Sequence, residues 1–401
     1  MQDLSLEQAL DVILAHAPQI TDTEQVPLLE ALGRVLAVDV TAPFPNPPFD
    51  RSPLDGYTFH HAATVGASEA EPAVLTIVGE ECAGDYYAQA VPAGQAVRIM
   101  TGGAIPQGCD CVVRQESVRV EGDKLYVPFA THAHENYCFA GEDVQQGAVI
   151  ARAGERLTAA HLGVIASMGY AGVMCYRPLR IALASTGDEL LAPGEPLRPG
   201  KIYNSNLYIL AGRLHEMGFQ PQLLGILPDN VEEAAEVVAL AAHDADIVLT
   251  TGGVSVGKKD IMHGVVKAVG ERLFWRVCMK PGGPAIAYTV GDTLGIALSG
   301  NPFASYATFE LLARPAMAQL ARRQDLALAR RRVTLADAFP KASRGRRFIR
   351  ARVTADGAAH LPQQHASGSL ASVVGCNAFL DIPAGSGPLA VGDTAEAVML
   401  W

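Results

Sequence analysis

Five turns in the middle of the chain collect residues that could hold an anion and a metal ion. They read STGDEL at 185–190, LPDN at 227–230, TTGGVSVGKKD at 250–260, MKPGGP at 279–284 and LSGNP at 298–302. Each follows an apolar run that reads as a strand. In a doubly wound sheet such turns share one edge, where ligands bind in the crevice. Glycine lets backbone approach a ligand closely, and the helices that follow aim N–H groups and positive dipole ends at it. That edge should bind an anion. It also carries Asp188, Glu189, Asp229 and Asp260, and carboxylates beside an anion suit a bridging Mg²⁺, which takes oxygen ligands and keeps waters. Any one turn reads equally well as ordinary capping chemistry; five on one edge make that reading strained.

Lys280 sits before Pro281-Gly282-Gly283, and a fixed lysine beside exposed amides is a good oxyanion receptor. Gly252 to Lys258 matches G-x-x-x-x-G-K, the start of a P-loop, but Lys259 stands where Ser or Thr would serve magnesium. Further upstream, Asp50–Tyr57, Met100–Pro106 and Phe139–Asp143 are turns rich in acids and glycine. Spacing alone does not join them to the five turns.

Elements able to position these residues fall into four stretches. Residues 1–44 read as helical: Ser5 with Gln8 forms a capping box ahead of Leu6, Leu10, Ile13 and Leu14, and PLLEALGRVLA follows from Pro27. Residues 45–140 hold short strands, AVLTIVGE, QAVRIM, CDCVVRQE and KLYVPF, and residues 141–177 return to helix from Leu157, expected to pack with residues 1–44. Residues 178–326 alternate strands at 179–184, 222–227, 246–250, 273–279 and 293–298 with helices starting near Asn206, Val231, Asp260 and Pro302. That alternation predicts a parallel sheet covered on both faces. Residues 327–401 offer five more strands and predict a small barrel or sandwich.

The length of 401 residues gives a prior of about two to four domains. Apolar residues at 49% and charged residues at 18% are globular proportions, and 31 basic against 42 acidic residues leave −11. An acidic surface does not attract polyanions, which argues against nucleic acid as a partner. The N-terminus lacks the basic start of a signal peptide, and no apolar stretch is long enough to span a membrane. Seven cysteines, an odd number, with Cys109 and Cys111 as C-x-C and no second pair, predict reduced thiols in a cytoplasmic protein. The H-x-H of His132 and His134 reads as loop histidines.

Taken in order, PPFDRSPLDGYTF, RIMTGGAIPQGCDCVVRQE, AGEDV, ASTGDEL, KIYNSN, DIVLTTGGVSVGKKD, CMKPGGP, LSGNP, RGRRFIR and HASGSLASVVGCNAFLDIP make the chain resemble the MoeA family of molybdopterin molybdenumtransferases, which includes the gephyrin E domain. The resemblance implies a multidomain α+β and α/β fold. Domain I (1–44 and 141–177) would be helical, discontinuous and dimerising. Domain II (45–140) would be an inserted β domain, domain III (178–326) a doubly wound molybdopterin-binding α/β domain, and domain IV (327–401) a C-terminal β barrel. It implies a homodimer with a shared active site, acting on adenylylated molybdopterin and molybdate with Mg²⁺. The phosphoanhydride is hydrolysed, AMP leaves and molybdenum enters the dithiolene. A molybdopterin adenylyltransferase and molybdoenzyme-maturation proteins are the implied partners.

By the same resemblance, Asp229, Asp260 and Glu189 would serve magnesium and the phosphates, with Asp188 contacting substrate. Thr251, Gly252, Gly253, Ser255 and Gly257 would bind pterin and phosphate. Lys280, with Arg276, would stabilise the anion, and Pro281, Gly282, Ser299 and Ser305 would complete the cofactor site. Arg350 and Ser369 would flank molybdate. Asp55, Thr101 and Asp143 would close the site from the partner subunit. The chain departs from the family pattern at Leu54 for Met, Gly283 for the second lysine of KPGKP, Ser299 for Pro, Ala304 for Ser, and Cys138 for an arginine. Two alternatives follow: a paralogue that binds or scaffolds without catalysis, and a P-loop nucleotidase.

Overall fold

Alternation sorts the central strand residues onto two faces. Ile181 and Leu183 enter one buried cluster while Ala182 and Ala184 enter another, and Ile247 and Leu249 against Val248 repeat the pattern. A strand apolar on both sides must be covered on both sides. The computed structural model describes residues 3–257 and 260–401 and divides the chain into two compact units. Lys258 and Lys259, and with them the lysine of the P-loop-like pattern, lie outside the described residues.

The larger unit contains Tyr176–Trp401, Gly33–Val35 and the N-terminal segment up to Glu24. Its elements are α1 (Leu6–Ala15), β1 (Ile181–Thr186), α2 (Ser205–Glu216), β2 (Gln222–Leu227), α3 (Val231–Asp244), β3 (Ile247–Thr251), α4 (Met262–Val269), β4 (Glu271–Trp275), β5 (Ile286–Val290), β6 (Thr293–Leu298), α5 (Pro302–Thr308) and α6 (Arg314–Leu320). The sheet order is β2-β1-β3-β6-β5-β4. β2, β1, β3 and β6 pair in parallel, while β5 runs antiparallel to both β6 and β4. The sheet is therefore mixed, which corrects the parallel expectation. AIAYTV, unassigned in the sequence, is a strand because Gly291, at φ 57°, and Asp292 turn it back into β6. Reversal of β5 alone leaves β4 pointing with the other four, so all five predicted turns still emerge on one edge.

Helices α1, α2, α5 and α6 contribute to one core cluster and α3 and α4 to the other. Ser5 caps α1 in the expected box, and Leu6, Ala9 and Ile13 are buried in the α/β core. Asn204 caps α2 through the Leu207 amide, and Leu207, Leu210 and Leu214 point inward at the predicted spacing. Beyond the sheet, β7 (Arg330–Leu335), β8 (Arg347–Val353), β9 (Ala358–His360), β10 (Ala378–Ile382) and β11 (Thr394–Met399) close a barrel. Closure removes the sheet edges that an open sandwich would expose.

A buried ion cluster ties barrel to helices. A π turn, Phe309–Ala313, joins α5 to α6 and turns Glu310 inward, where it is fully buried. Glu310 accepts from Arg213 Nε at 2.5 Å and Arg314 Nη1 at 2.9 Å, and both guanidiniums also donate to the Leu400 carbonyl. Glu310→Leu would strand two buried guanidiniums. It is expected to destabilise the unit by about 3–5 kcal/mol, read as a lower denaturation midpoint at unchanged m-value.

The smaller unit, Gln25–Leu32 with Leu36–Cys175, holds a six-stranded sheet. Its order is Cys111–Arg114, Gly56–Phe59, Gln95–Ile99, Ala73–Glu81, Lys124–Val127, Arg119–Glu121. The four predicted strands are present; GYTF, read as part of a turn, is a fifth. Thr158 caps the helix Ala159–Ser167, whose Ile165 packs with Val26, Ala31, Leu36 and Val40. PLLEALGRVLA is not the expected helix. Only Leu28–Ala31 coils, as a 3₁₀ turn, and Gly33 at φ 78° ends it. No helix among the described residues is long and apolar enough to cross a membrane.

Candidate active site

The shared edge of the large sheet opens into a cavity of about 700 Å³. Glu189, Asp229, Asp260, Thr251, Gly252, Gly253, Ser255, Arg276, Lys280, Pro281, Gly282 and Ser299 all line it. Among the described residues, three carboxylates and two cations line it, which makes that lining acidic. Two glycines are forced by close approach. Gly252 has φ 101°, and a Cβ there would stand 2.6 Å from the Thr186 carbonyl; Gly282 has φ 87°, and its Cβ would meet Thr308 Cγ2 at 2.3 Å.

Asp188 and Asp229 interlock, each amide donating to the other's carboxylate at 3.2 and 3.1 Å, which aligns the β1 and β2 turns. Asp260 accepts from the Gly257 amide and folds the 254–257 turn back toward α4. Thr251 and Ser305 form a buried hydroxyl pair at 2.9 Å beneath the floor, so Ser305 supports the cavity without lining it. The sequence reading gave no individual role to Asn206, which donates to Thr251 Oγ1 at 2.9 Å and the Gly300 carbonyl at 2.8 Å. It stands in KIYNSN, a segment that did carry the resemblance. Among the described residues, the buried Thr186 hydroxyl has no hydrogen-bond partner, and Thr186 lines the same cavity.

A second cavity, about 780 Å³, lies against the barrel. It shares Lys280, Pro281 and Ser367 with the first. The chain segment at Lys280 is stitched to β8: its amide donates to the Arg346 carbonyl at 2.9 Å and its carbonyl accepts from Phe348 at 2.8 Å. The lining carries Lys280, Lys341, Arg347 and Arg350 against Asp337, so this cavity is basic. Arg350 is only 1% exposed. It donates to the Gln364 and Ala366 carbonyls at 2.6 and 3.1 Å and lies 4.0 Å over the Phe303 ring, while its Nε has no partner. Burial pushes its pKa down to about 10. Among the described residues no carboxylate pairs with this buried guanidinium, so it lacks a counter-anion. Ser369 does not line this cavity; its carbonyl accepts from Ser372 Oγ at 2.7 Å.

In the smaller unit the three upstream turns form one patch. Asp55 Oδ1 accepts from the Thr101 amide at 2.7 Å and hydroxyl at 2.8 Å, bonds that hold its carboxyl below the usual range. The Asp50 side chain receives Tyr137 Oη at 2.6 Å and the Ala140 amide at 2.7 Å, while its carbonyl receives the Ile105 amide at 2.9 Å. Asp143 bonds Asn46 at 3.0 Å and is exposed. Cys138 is buried, donates to Glu142 at 2.6 Å and accepts from Arg51 Nε at 3.4 Å, so Arg51 brings a guanidinium to this patch.

A magnesium ion is the cofactor to be weighed against these donors. Glu189, Asp229 and Asp260 offer hard oxygen ligands in one cavity. They are not drawn together to ligand spacing; among the described residues only His60, His61 and Asp110, in the smaller unit, form such a trio. There Asp110 accepts from the His61 amide at 2.7 Å and ring Nδ1 at 2.6 Å, a clamp on the turn that begins at His61. One or two carboxylates completed by phosphate oxygens and water is the usual magnesium arrangement, and the open cavity fits that.

Residues 182–319 match the probable molybdopterin binding domain, residues 4–169 the MoeA N-terminal region (domain I and II), and residues 332–400 the MoeA C-terminal region (domain IV). The molybdopterin molybdenumtransferase of Haemophilus influenzae is 37% identical over 320 residues, 79% of this chain and 78% of its own. That of Bacillus subtilis is 33% identical over 395 residues, 96% and 92% of the two chains. The solved molybdopterin biosynthesis MoeA protein of Pyrococcus horikoshii superposes over 100% of both chains with a TM-score of 0.87 at 27% identity. The chain belongs to the MoeA family of molybdopterin molybdenumtransferases.

Proposed function

We propose that this chain is a molybdopterin molybdenumtransferase in which an acidic and a basic compartment meet at Lys280. The observation that carries this is the shared wall of Lys280, Pro281 and Ser367. The acidic cavity receives adenylylated molybdopterin, its phosphates against the Gly252–Ser255 turn. The basic cavity receives molybdate against Arg350. Asp229 and Asp260, with Glu189 near, would hold magnesium, which would neutralise charge on the phosphoanhydride. Water adds to phosphorus, and the bond to the AMP oxygen breaks. The two dithiol sulfurs then replace one oxygen of molybdate, which leaves with both thiol protons as water. Lys280 stabilises negative charge on both sides.

Asp55, Thr101 and Asp143 act from the partner subunit of a homodimer. Leu29 at 86% exposure, with Leu32 and Val38 also exposed, supports a second copy covering this surface. The substrate comes from an adenylyltransferase and the product passes to molybdoenzyme maturation, in the cytoplasm. The pre-set Asp55–Thr101 bonds and the acidic cavity favour catalysis over a pure scaffold.

The test is subunit complementation. Purified Asp55→Ala and Asp260→Ala proteins each release little AMP from adenylylated molybdopterin with Mg²⁺ and molybdate. Mixed, dissociated and reassembled, they recover about a quarter of wild-type AMP release and active cofactor, because half the dimers are mixed and each has one intact site. Full activity of either variant alone, or no recovery in demonstrated mixed dimers, contradicts the shared site.

A further inference from the structure

One group in the basic cavity has no role in the reaction described above. His365 lines it, with its ring edge-on to Phe339 at 5.0 Å and 90°. The Arg347 guanidinium lies 5.3 Å from the same Phe339 ring, so one aromatic holds both groups. The charged and titratable groups facing the cavity are Lys280, Asp337, Lys341, Arg347, Arg350 and His365 itself. Asp337, the one acid, is engaged by the Leu361 amide at 2.9 Å and lies 3.6 Å from His360 Nδ1. His365 therefore stands in a field set by cations. Burial first, then Arg350, Lys341 and Arg347, push its pKa down, so near neutral pH the imidazole is uncharged while the cavity holds no anion.

A tetrahedral dianion reverses that field. It would neutralise the guanidiniums that oppose protonation and offer oxygens that accept an N–H. Resting on the reading that this cavity takes molybdate, we propose that His365 is a further ligand of the oxyanion and binds it as imidazolium, so that a dianion and one solvent proton enter the cavity together. The proton goes to the ring nitrogen facing the oxyanion and is donated to one of its oxygens as a hydrogen bond. The proton returns to solvent when the anion leaves or is consumed.

Calorimetric titration of the full chain with tungstate, an unreactive stand-in for molybdate, in two buffers of different ionisation enthalpy tests this. The expected result is net proton uptake, at most one per site, greatest at pH values between the free and bound pKa values of His365. Affinity should fall by up to about tenfold per pH unit between the free and bound pKa values and level off above them. His365→Gln should abolish the uptake while keeping the wild-type high-pH affinity within a few fold. Tungstate binding by the wild type with no proton uptake overturns the inference alone, as does unchanged uptake in a folded His365→Gln protein. Absence of any tungstate binding removes the molybdate reading and this inference with it. The wild-type measurement decides even where the variant misfolds.

Discussion

Asp260→Ala should lower Mg²⁺-dependent AMP release by roughly 10²–10³-fold while leaving the dimer and the fold intact. Asp260 sits on the rim of the acidic cavity, and its carboxylate both faces that cavity and receives the Gly257 amide. Loss of activity could thus come from the missing charge or from a loosened turn. Asp260→Asn separates the two, since its amide oxygen still accepts from Gly257 and only the charge is gone. A charge role predicts that Asn is as inactive as Ala and that raising Mg²⁺ restores little. Near-wild-type release by the Asn variant would reassign Asp260 to turn geometry. The measurement is single-turnover AMP release across a Mg²⁺ series, with sedimentation to confirm the dimer.

Arg350→Met is the second large effect. Most buried charges cannot be removed without stranding a partner; Arg350 has no carboxylate to strand. Its replacement by an unbranched apolar side chain keeps the Phe303 contact as packing but removes the donor to the Gln364 and Ala366 carbonyls, so a stability loss of about 1–3 kcal/mol is expected, without unfolding. The anion should lose its strongest partner. Truncating one member of a buried charged pair costs about 2–5 kcal/mol, so the molybdate concentration for half-maximal insertion should rise about 30-fold or more. AMP release at saturating Mg²⁺ should change far less, since it belongs to the other compartment. Lys280→Ala, on the shared wall, should affect both steps. An Arg350→Met protein with wild-type molybdate dependence would remove the basic cavity from the reaction.

Much of this was legible in the sequence where local physics is decisive. The Gly-rich turns holding 252 and 282 announce strand ends, and the helix starts expected near Asn206 and Val231 fall within two residues of the observed ones, which Asn204 and Asn230 cap. Because five strands point one way, those ends converge. Four of the five barrel strands overlap the apolar runs that predict them; the fifth, expected at HLPQQ, instead ends at His360. Three features were hidden because they depend on partners distant in sequence. AIAYTV, unassigned after MKPGGP, becomes a strand through pairing with β4 and β6. PLLEALGRVLA has helical spacing, yet Leu29 and Leu32 remain exposed, so tertiary context overrode the pattern. The upstream acidic turns looked independent until Asp50 was seen to hold two of them together. Nothing local marks Arg350 as buried or His365 as lining the same cavity; in SRGRRFIR the arginine reads only as part of a charge run.

The central claim is that the two compartments meet at Lys280 and that the basic one takes the oxyanion. The most direct measurement is a crystal structure of the full chain soaked in tungstate, with anomalous scattering used to locate the metal. The account predicts one strong peak per chain in the barrel-side cavity, within hydrogen-bond reach of Arg350 and beside Lys280. A peak confined to the acidic cavity, or an empty basic cavity in crystals grown at saturating tungstate, would contradict it.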